Sequence, residues 1–356
     1  MADLEEKLRG RGKGGVVLGK SRIYSLAYAD DIVLLAECES GMRLMMREFE
    51  KYVSGKDLCV NVEKTKVLRF RNRKEGKEEV WKLNGKSVEE VDEFCYLGYW
   101  FKSNGSQELH VSRRLEKAGK ILGQVCGIGK RRFKDDWRRR MWLFDVLVWS
   151  VICYGVEIWE WKERKKVESM SERYMRWTME VSRSCLGYML REELGREKML
   201  VRQRRRAWGF EEKLREGRGN QFTQRCREMV VEREERGEKE MSKWEVERGM
   251  VVKEARKEGR GWYGLEGNWK EMDKVERWQK ILRSRYNIWY KMVKRVGVPK
   301  YLDDKGKESK WSRMVRFRMG EGVNACRYWL RNEEKMCRVC GYEVEDWGHV
   351  LERCGR

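Results

Sequence analysis

Proline is almost missing from this chain of 356 residues: Pro299 is the only one. Proline breaks helix interiors, so a long charged chain without it reads as helix-rich. A secretory signal is missing from the N-terminus, and so is any apolar run long enough to span a bilayer. The longest such stretch, Trp142 to Ile158, is interrupted by Asp145 and Glu157. A disulfide scaffold is missing too, although there are 11 cysteines. Most sit singly in apolar stretches (Cys38, Cys59, Cys95, Cys126, Cys153, Cys185), where a free thiol behaves as a small buried hydrophobe. These absences lead us to expect an intracellular, reduced chain with no membrane partner. No internal repeat is evident.

What is present is charge. Charged residues make up 39% of the chain, well above the ordinary quarter, while 40% hydrophobic content is adequate for globular folding. The length allows two or three domains. A net charge of +22 with a pI near 9.5 attracts polyanions. Nucleic acid is the first candidate partner and an anionic membrane surface the second; the bland alternative is a solvated basic surface.

Along the chain, the segment to about Gly19 reads as a helix end and a turn. Ile23 to Ala36 reads as strand, turn, strand, with the turn at Ala29-Asp30-Asp31. Met42, Met45 or Met46, Phe49 and Val53 share a helical face that Gly55 caps. Further strands are expected around Lys66 to Arg71 and Phe94 to Phe101. From there the period becomes helical. Val111, Leu115, Ala118, Leu122 and Val125 form one stripe. Trp137, Met141, Phe144 and Val148 form another, which Asp135 or Asp136 can cap. The Glu/Arg run from 227 to 257 is expected to project as a helical arm or to be partly disordered.

Tyr28-Ala29-Asp30-Asp31 lies between apolar residues on both sides. Two adjacent carboxylates in a tight turn suit divalent metal ions, which in phosphoryl transfer clamp the attacking and leaving oxygens. A hairpin turn with acidic tips is the plain alternative. The stretch Leu-Ala-Tyr-Ala-Asp-Asp-Ile-Val-Leu-Leu-Ala at 26 to 36 resembles the catalytic hairpin of reverse transcriptases, especially those of LINE-type (non-LTR) retrotransposons. Asn61-Val62-Glu63-Lys64-Thr65-Lys66 resembles the next motif of that family, and Phe94 to Phe101 resembles its primer-grip hairpin. The remainder to about Trp161 looks like its thumb. The resemblance implies an RNA-directed DNA polymerase with Asp30 and Asp31 as catalytic, magnesium-binding carboxylates. It implies that Lys64 or Lys66 sits near the triphosphate, and that Tyr28, Tyr96, Leu97 and Gly98 contact nucleotide or primer. Solvated strand faces for the lysines, and core packing for the aromatic residues, are the alternatives.

The family also needs another carboxylate from an earlier palm strand, and fingers that hold the nucleotide. Only 27 residues precede Tyr28, and none is a plausible strand-borne aspartate; Asp3 lies in a segment resembling the helix after the template loop. We therefore expect a truncated reverse transcriptase, inactive alone, because charge stabilisation supplies most of the rate in phosphoryl transfer.

Cys337-x2-Cys340-x8-His349-x4-Cys354 has the donors of a closed, structural zinc site. With the upstream Arg313, Arg316, Phe317, Arg318, Met319 and Gly320 it resembles the C-terminal knuckle of LINE-type proteins. Arg327, Arg331, Lys335 and Arg338 surround it. Tyr342 and Trp347 are candidates to stack on unpaired bases, with Trp347 equally able to cover the metal. Arg131 and Arg132, then Arg138, Arg139 and Arg140, then Arg204, Arg205 and Arg206 are dense clusters near Trp or Phe, and with Arg316 and Arg318 they are the candidate phosphate contacts.

The expected fold class is α+β: a partial reverse-transcriptase palm (1–102), thumb-like helices (103–161), a charged helical region (162–310) and a zinc-knuckle module (311–356). The expected cofactors are zinc in the knuckle and magnesium at an incomplete polymerase site. The expected partners are RNA and DNA, in the nucleus or cytoplasm, with the oligomeric state open. The alternative function is a zinc-dependent RNA- or DNA-binding module without an enzymatic role.

Overall fold

The computed structural model describes residues 3–10, 14–70, 80–238, 241–257, 262–294, 297–303, 306–327 and 330–355, with backbone alone for 254–257 and 262–267. They fall into two compact units, Met1–Ser112 with Phe210–Gly249, and Arg113–Gly209 with Met250–Arg356. The fold is mixed α/β and mostly helical, with small sheets.

The first unit opens with α1 (Leu4–Arg9), β1 (Val16–Leu18) and β2 (Ser21–Ile23), followed by β3 (Ser25–Tyr28), β4 (Asp31–Leu34) and α2 (Glu39–Ser54). Then come β5 (Lys66–Leu68), β6 (Trp81–Leu83), β7 (Lys86–Val91), β8 (Glu93–Tyr96) and β9 (Tyr99–Lys102). β1–β2, β3–β4 and β8–β9 are antiparallel hairpins, and β5, β7 and β6 make a three-stranded sheet in that order. The face of α2 forms the centre of the core: Met45, Met46, Phe49 and Val53 pack with Leu4, Leu8, Trp81 and Val88. Gly55 stands at the C-cap, its N–H bonded to Lys51 O at 2.9 Å. The Asn84-Gly85 hairpin between β6 and β7 adds two strands to those expected from the sequence. Both turn residues hold positive φ (50° and 74°), the geometry that a two-residue hairpin turn demands.

α3 (Glu108–Arg132) carries the chain into the second unit. There α4 (Trp137–Leu143) passes through a π-helical turn at Phe144–Val148 into α5 (Trp149–Ile152), followed by α6 (Val156–Trp159), α7 (Lys165–Met179) and α8 (Gly187–Glu193). α9 (Met199–Arg215) returns to the first unit, which holds α10 (Gln221–Arg236) and the start of α11 (Lys243–Lys257). α12 (Trp262–Leu282), α13 (Tyr290–Val293), α14 (Lys300–Asp303) and α15 (Glu308–Arg318) complete the second unit before the C-terminal module.

Both helical stripes expected at 111–125 and 137–148 are buried, apart from Leu115, which is half-buried. Asp136 is the cap of α4, accepting the Arg139 N–H at 2.9 Å. In the 227–257 run the outcome differs from a projecting arm. The Gly19 N–H reaches the Met229 sulfur at 3.0 Å and Arg225 bonds Ser21, so α10 lies on the β1–β2 hairpin. Arg248, 1% exposed, ties Glu211 to Glu234. The cysteines also differ from expectation: Cys153 and Cys185 are buried, but Cys38, Cys59 and Cys95 are exposed. Among the described residues, no helix is long and apolar enough to cross a membrane.

Candidate metal centre and nucleic-acid surfaces

The C-terminal module brings four donors together. Cys337 pairs backbone with Glu343 (N–H to O, 2.7 Å), Glu345 with Lys335 (2.8 Å), and Gly341 donates back to Cys337 O at 2.8 Å. Gly341 holds φ 74°, which lets the chain fold back after Cys340. Asp346 then accepts the His349 N–H at 2.7 Å and starts the turn His349–Arg353, which presents His349 and ends at Cys354. The Sγ atoms of Cys337, Cys340 and Cys354 and a ring nitrogen of His349 all lie within 4.8 Å of one another. Cys337 Sγ is 3.9 Å from Cys354 Sγ, and Cys340 Sγ is 3.1 Å from His349 Nε2.

Tetrahedral zinc with S and N donors places neighbouring ligand atoms roughly 3.5–3.8 Å apart, so the residues fit the metal. His349 Nδ1 lies 3.1 Å from Glu343 Oε2, which puts a carboxylate behind the imidazole and leaves Nε2 to face the donors. The Cys340 backbone N–H, ahead of the Val339 N–H and His349, holds the Cys337 thiol down to about 6. The Tyr342 backbone N–H lowers the Cys340 thiol, while its donor contacts with Cys337 and Cys340 raise His349 against the effect of burial. This is the electrostatic profile of a thiolate cluster. Among the described residues it is the one group of three or more metal-capable side chains that come together.

The hairpin β3–β4 pairs Tyr28 with Asp31, so the turn is Ala29-Asp30, with Ala29 at φ 53°. Asp30, Asp31 and Tyr28 are all exposed. No third acid joins the two aspartates among the described residues, so this pair lacks the bridging ligand of a two-metal site. In β8–β9 the turn is Leu97-Gly98, at φ 47° and 77°. Burial first, and the Asp31 carboxylate second, raise the Tyr96 hydroxyl, so Tyr96 stands within the field of the acidic turn. Lys64 is exposed near the Asn61-to-Thr65 turn, whereas Lys66 is engaged in β5 by Glu89 at 2.7 Å.

The candidate arginines divide. Arg131, Arg132, Arg138 and Arg139 are exposed, with Arg138 over Trp137 and Arg139 over Phe133. Arg138 bonds Asp303. Arg140 is buried and bonds Glu308 at 2.5 Å and the carbonyls of Phe133, Lys134 and Thr178. Its guanidinium is spent inside, which removes it from the phosphate-binding set. Arg318 is committed in the same way to the buried Glu193, at 2.5 and 3.1 Å. Arg204 is half-buried against Trp161 O, Arg205 pairs with Glu197, Arg206 is exposed but paired with Glu157, and Arg316 is exposed with its Nε on Glu180 O. Trp347 packs on Phe317 at 4.2 Å between centroids, while Tyr342 stands 86% exposed.

An uncharacterized transposon-derived protein of Caenorhabditis elegans is 29% identical to this chain over 179 residues, covering 49% of the chain. The chain spans 60% of that relative's length. No family model and no solved structure matches. The similarity supports a transposon-related origin.

Proposed function

We propose that this chain is the palm-end, thumb and zinc-knuckle portion of a non-LTR retrotransposon reverse transcriptase, and that on its own it binds RNA or DNA without polymerising. The observation that carries the proposal is the donor set of Cys337, Cys340, His349 and Cys354, whose ligand atoms lie within 4.8 Å of one another, in a chain whose Tyr-Ala-Asp-Asp stretch forms the tip of the β3–β4 hairpin. The transposon-derived relative supports the same lineage. Asp30 and Asp31 would offer two of the carboxylates that magnesium needs, with Lys64 toward the triphosphate and Tyr28, Leu97 and Gly98 toward the primer. When bound, zinc would hold Cys337, Cys340, His349 and Cys354 as one rigid unit, which keeps Tyr342 and the basic residues around it in place for a strand.

The test has two arms. Zinc-loaded protein is titrated with single-stranded RNA and DNA across a salt series, with and without a chelator and with Cys337→Ser. Affinity should fall steeply with salt and drop when zinc is removed. Binding indifferent to zinc would take the knuckle out of the reading. In the second arm, extension of a primed template above an Asp30→Ala control would overturn the inactivity.

A second reading, a zinc-dependent RNA- or DNA-binding module without an enzymatic role, draws on the contrast between the four-donor set in the knuckle and the acidic pair at Asp30 and Asp31. It expects Asp30→Ala to change nothing, including strand binding in the presence of magnesium.

A further inference from the structure

A groove of about 570 Å³ lies in the second unit, lined by Tyr188 of α8, the last turns of α12 and the turn at 283–286 that follows. Its size is that of a ligand cleft, roughly 300–1,000 Å³. The Tyr188 hydroxyl donates to Ser284 Oγ at 3.0 Å, which ties α8 to that turn across the groove.

The charge left free in the groove is positive. Glu276 is the one carboxylate of the described lining, and Lys198 (2.8 Å) and Lys280 (2.5 Å) already hold it. Arg283 and Arg285 are exposed, and among the described residues neither guanidinium has a hydrogen-bond or ion-pair partner. In this they differ from Arg140, Arg206 and Arg318, each of which is held by a glutamate. Tyr286, next in the chain, is 38% exposed. Uncommitted guanidiniums match phosphate oxygens with two parallel donors. A basic groove that also carries aromatic side chains has the composition that holds single strands.

The groove adjoins the knuckle. Just beyond Tyr286, the ring of Trp289 lies so close to Gly348 that a Cβ there would come within 2.6 Å of it. Asn287 Nδ2 donates to Arg318 O at 2.9 Å and holds the same turn to the end of α15. The two arginines are therefore fixed beside the module that holds the four metal donors and Tyr342.

We propose that this groove carries the backbone of a single-stranded nucleic acid towards the knuckle, with phosphates on Arg283 and Arg285. The proposal rests on the nucleic-acid reading above and names a surface along which the strand would run. It assigns a role to two arginines that no carboxylate neutralises.

The test uses the zinc-loaded full chain and an unstructured single-stranded oligonucleotide. Phenylglyoxal modifies accessible guanidiniums, and mass spectrometry reads each site. The strand should protect Arg283 and Arg285; modification unchanged by the strand overturns the groove, and this arm needs no variant. In Arg283→Gln/Arg285→Gln the log–log salt slope of binding should flatten by about 1.4, from about 0.7 for each phosphate no longer neutralised. The control is Lys165→Gln/Lys166→Gln, which removes the same charge from exposed residues of the same unit outside the groove lining. It should flatten the slope by less than half as much. Equal flattening by the two double variants makes the effect one of net charge and overturns the groove. Protection by phosphatidylserine vesicles but not by the oligonucleotide also overturns it, and gives the surface to a membrane. Strand binding that stays zinc-dependent but ignores the groove variant sinks the groove alone. Absence of all strand binding by the unaltered chain sinks the nucleic-acid reading with it.

Discussion

Several single side chains are held in states that their sequence neighbours do not disclose, and Glu168 is the clearest of them. Its Oε2 accepts the Met199 N–H at 2.9 Å, and its Oε1 faces the Arg191 Nε at 3.6 Å. Burial, resisted by Arg191 and Lys198 and reinforced by Glu172, raises the carboxyl from 4.5 to about 7. An acid whose folded pKa lies above its unfolded value binds its proton more tightly in the folded state. It therefore costs nothing below about pH 4.5 and costs progressively more as the pH rises through 7. Glu168→Gln keeps an oxygen for Met199 and abolishes this titration. The variant should be the more stable at pH 8, by up to about 3 kcal/mol, with the advantage fading towards pH 4.5. Urea midpoints at the two pH values check it, and a constant difference would mean that Glu168 is ionised throughout.

Among elements, the knuckle is where local sequence and structure agree best. Its ligands are close in sequence, so spacing alone encodes the geometry. What spacing could not disclose is Glu343, which reaches His349 Nδ1 across the turn. Removing such an outer partner typically costs 10–100-fold in metal affinity. Glu343→Ala should weaken zinc by that order in competition with a chromogenic chelator, while Glu352→Ala, on the same module, leaves it unchanged. Equal effects would make Glu343 a bystander.

The α2 face and the β3–β4 and β8–β9 hairpins are legible for the same local reason, since a period of 3.6 or 2 and a turn dipeptide lie within a few residues. β6 and β7 carry an equally local signal, Asn84-Gly85 between alternating residues, which an expectation of strands only around Lys66 to Arg71 and Phe94 to Phe101 passes over. The third strand of that sheet is not legible: β5 pairs with β7 in parallel, an arrangement that no local pattern specifies.

At the scale of the whole chain, +22 charges attract polyanions, but the structure decides which of them remain available. A run such as Arg138-Arg139-Arg140 is uniform as sequence. The helical period turns the first two outward and the third inward onto Glu308. Tertiary pairing over more than a hundred residues, as with Arg318 and Glu193 or Arg140 and Glu308, withdraws arginines that composition counts as free. Binding should follow this division. Neutralising Arg131, Arg132, Arg138 and Arg139 together should weaken single-strand binding at low salt and flatten its salt dependence, by about 0.7 in log–log slope for each phosphate no longer neutralised. Folding should be nearly untouched, because their visible pairings are exposed. Arg140→Ala should instead leave the carboxylate of Glu308 buried and unpaired, and cost roughly 3–5 kcal/mol of stability. A thermal melt beside each salt titration separates the two. If the four exposed arginines can be removed without changing the slope, the strand lies elsewhere, and the basic surface nearest the knuckle becomes the place to look.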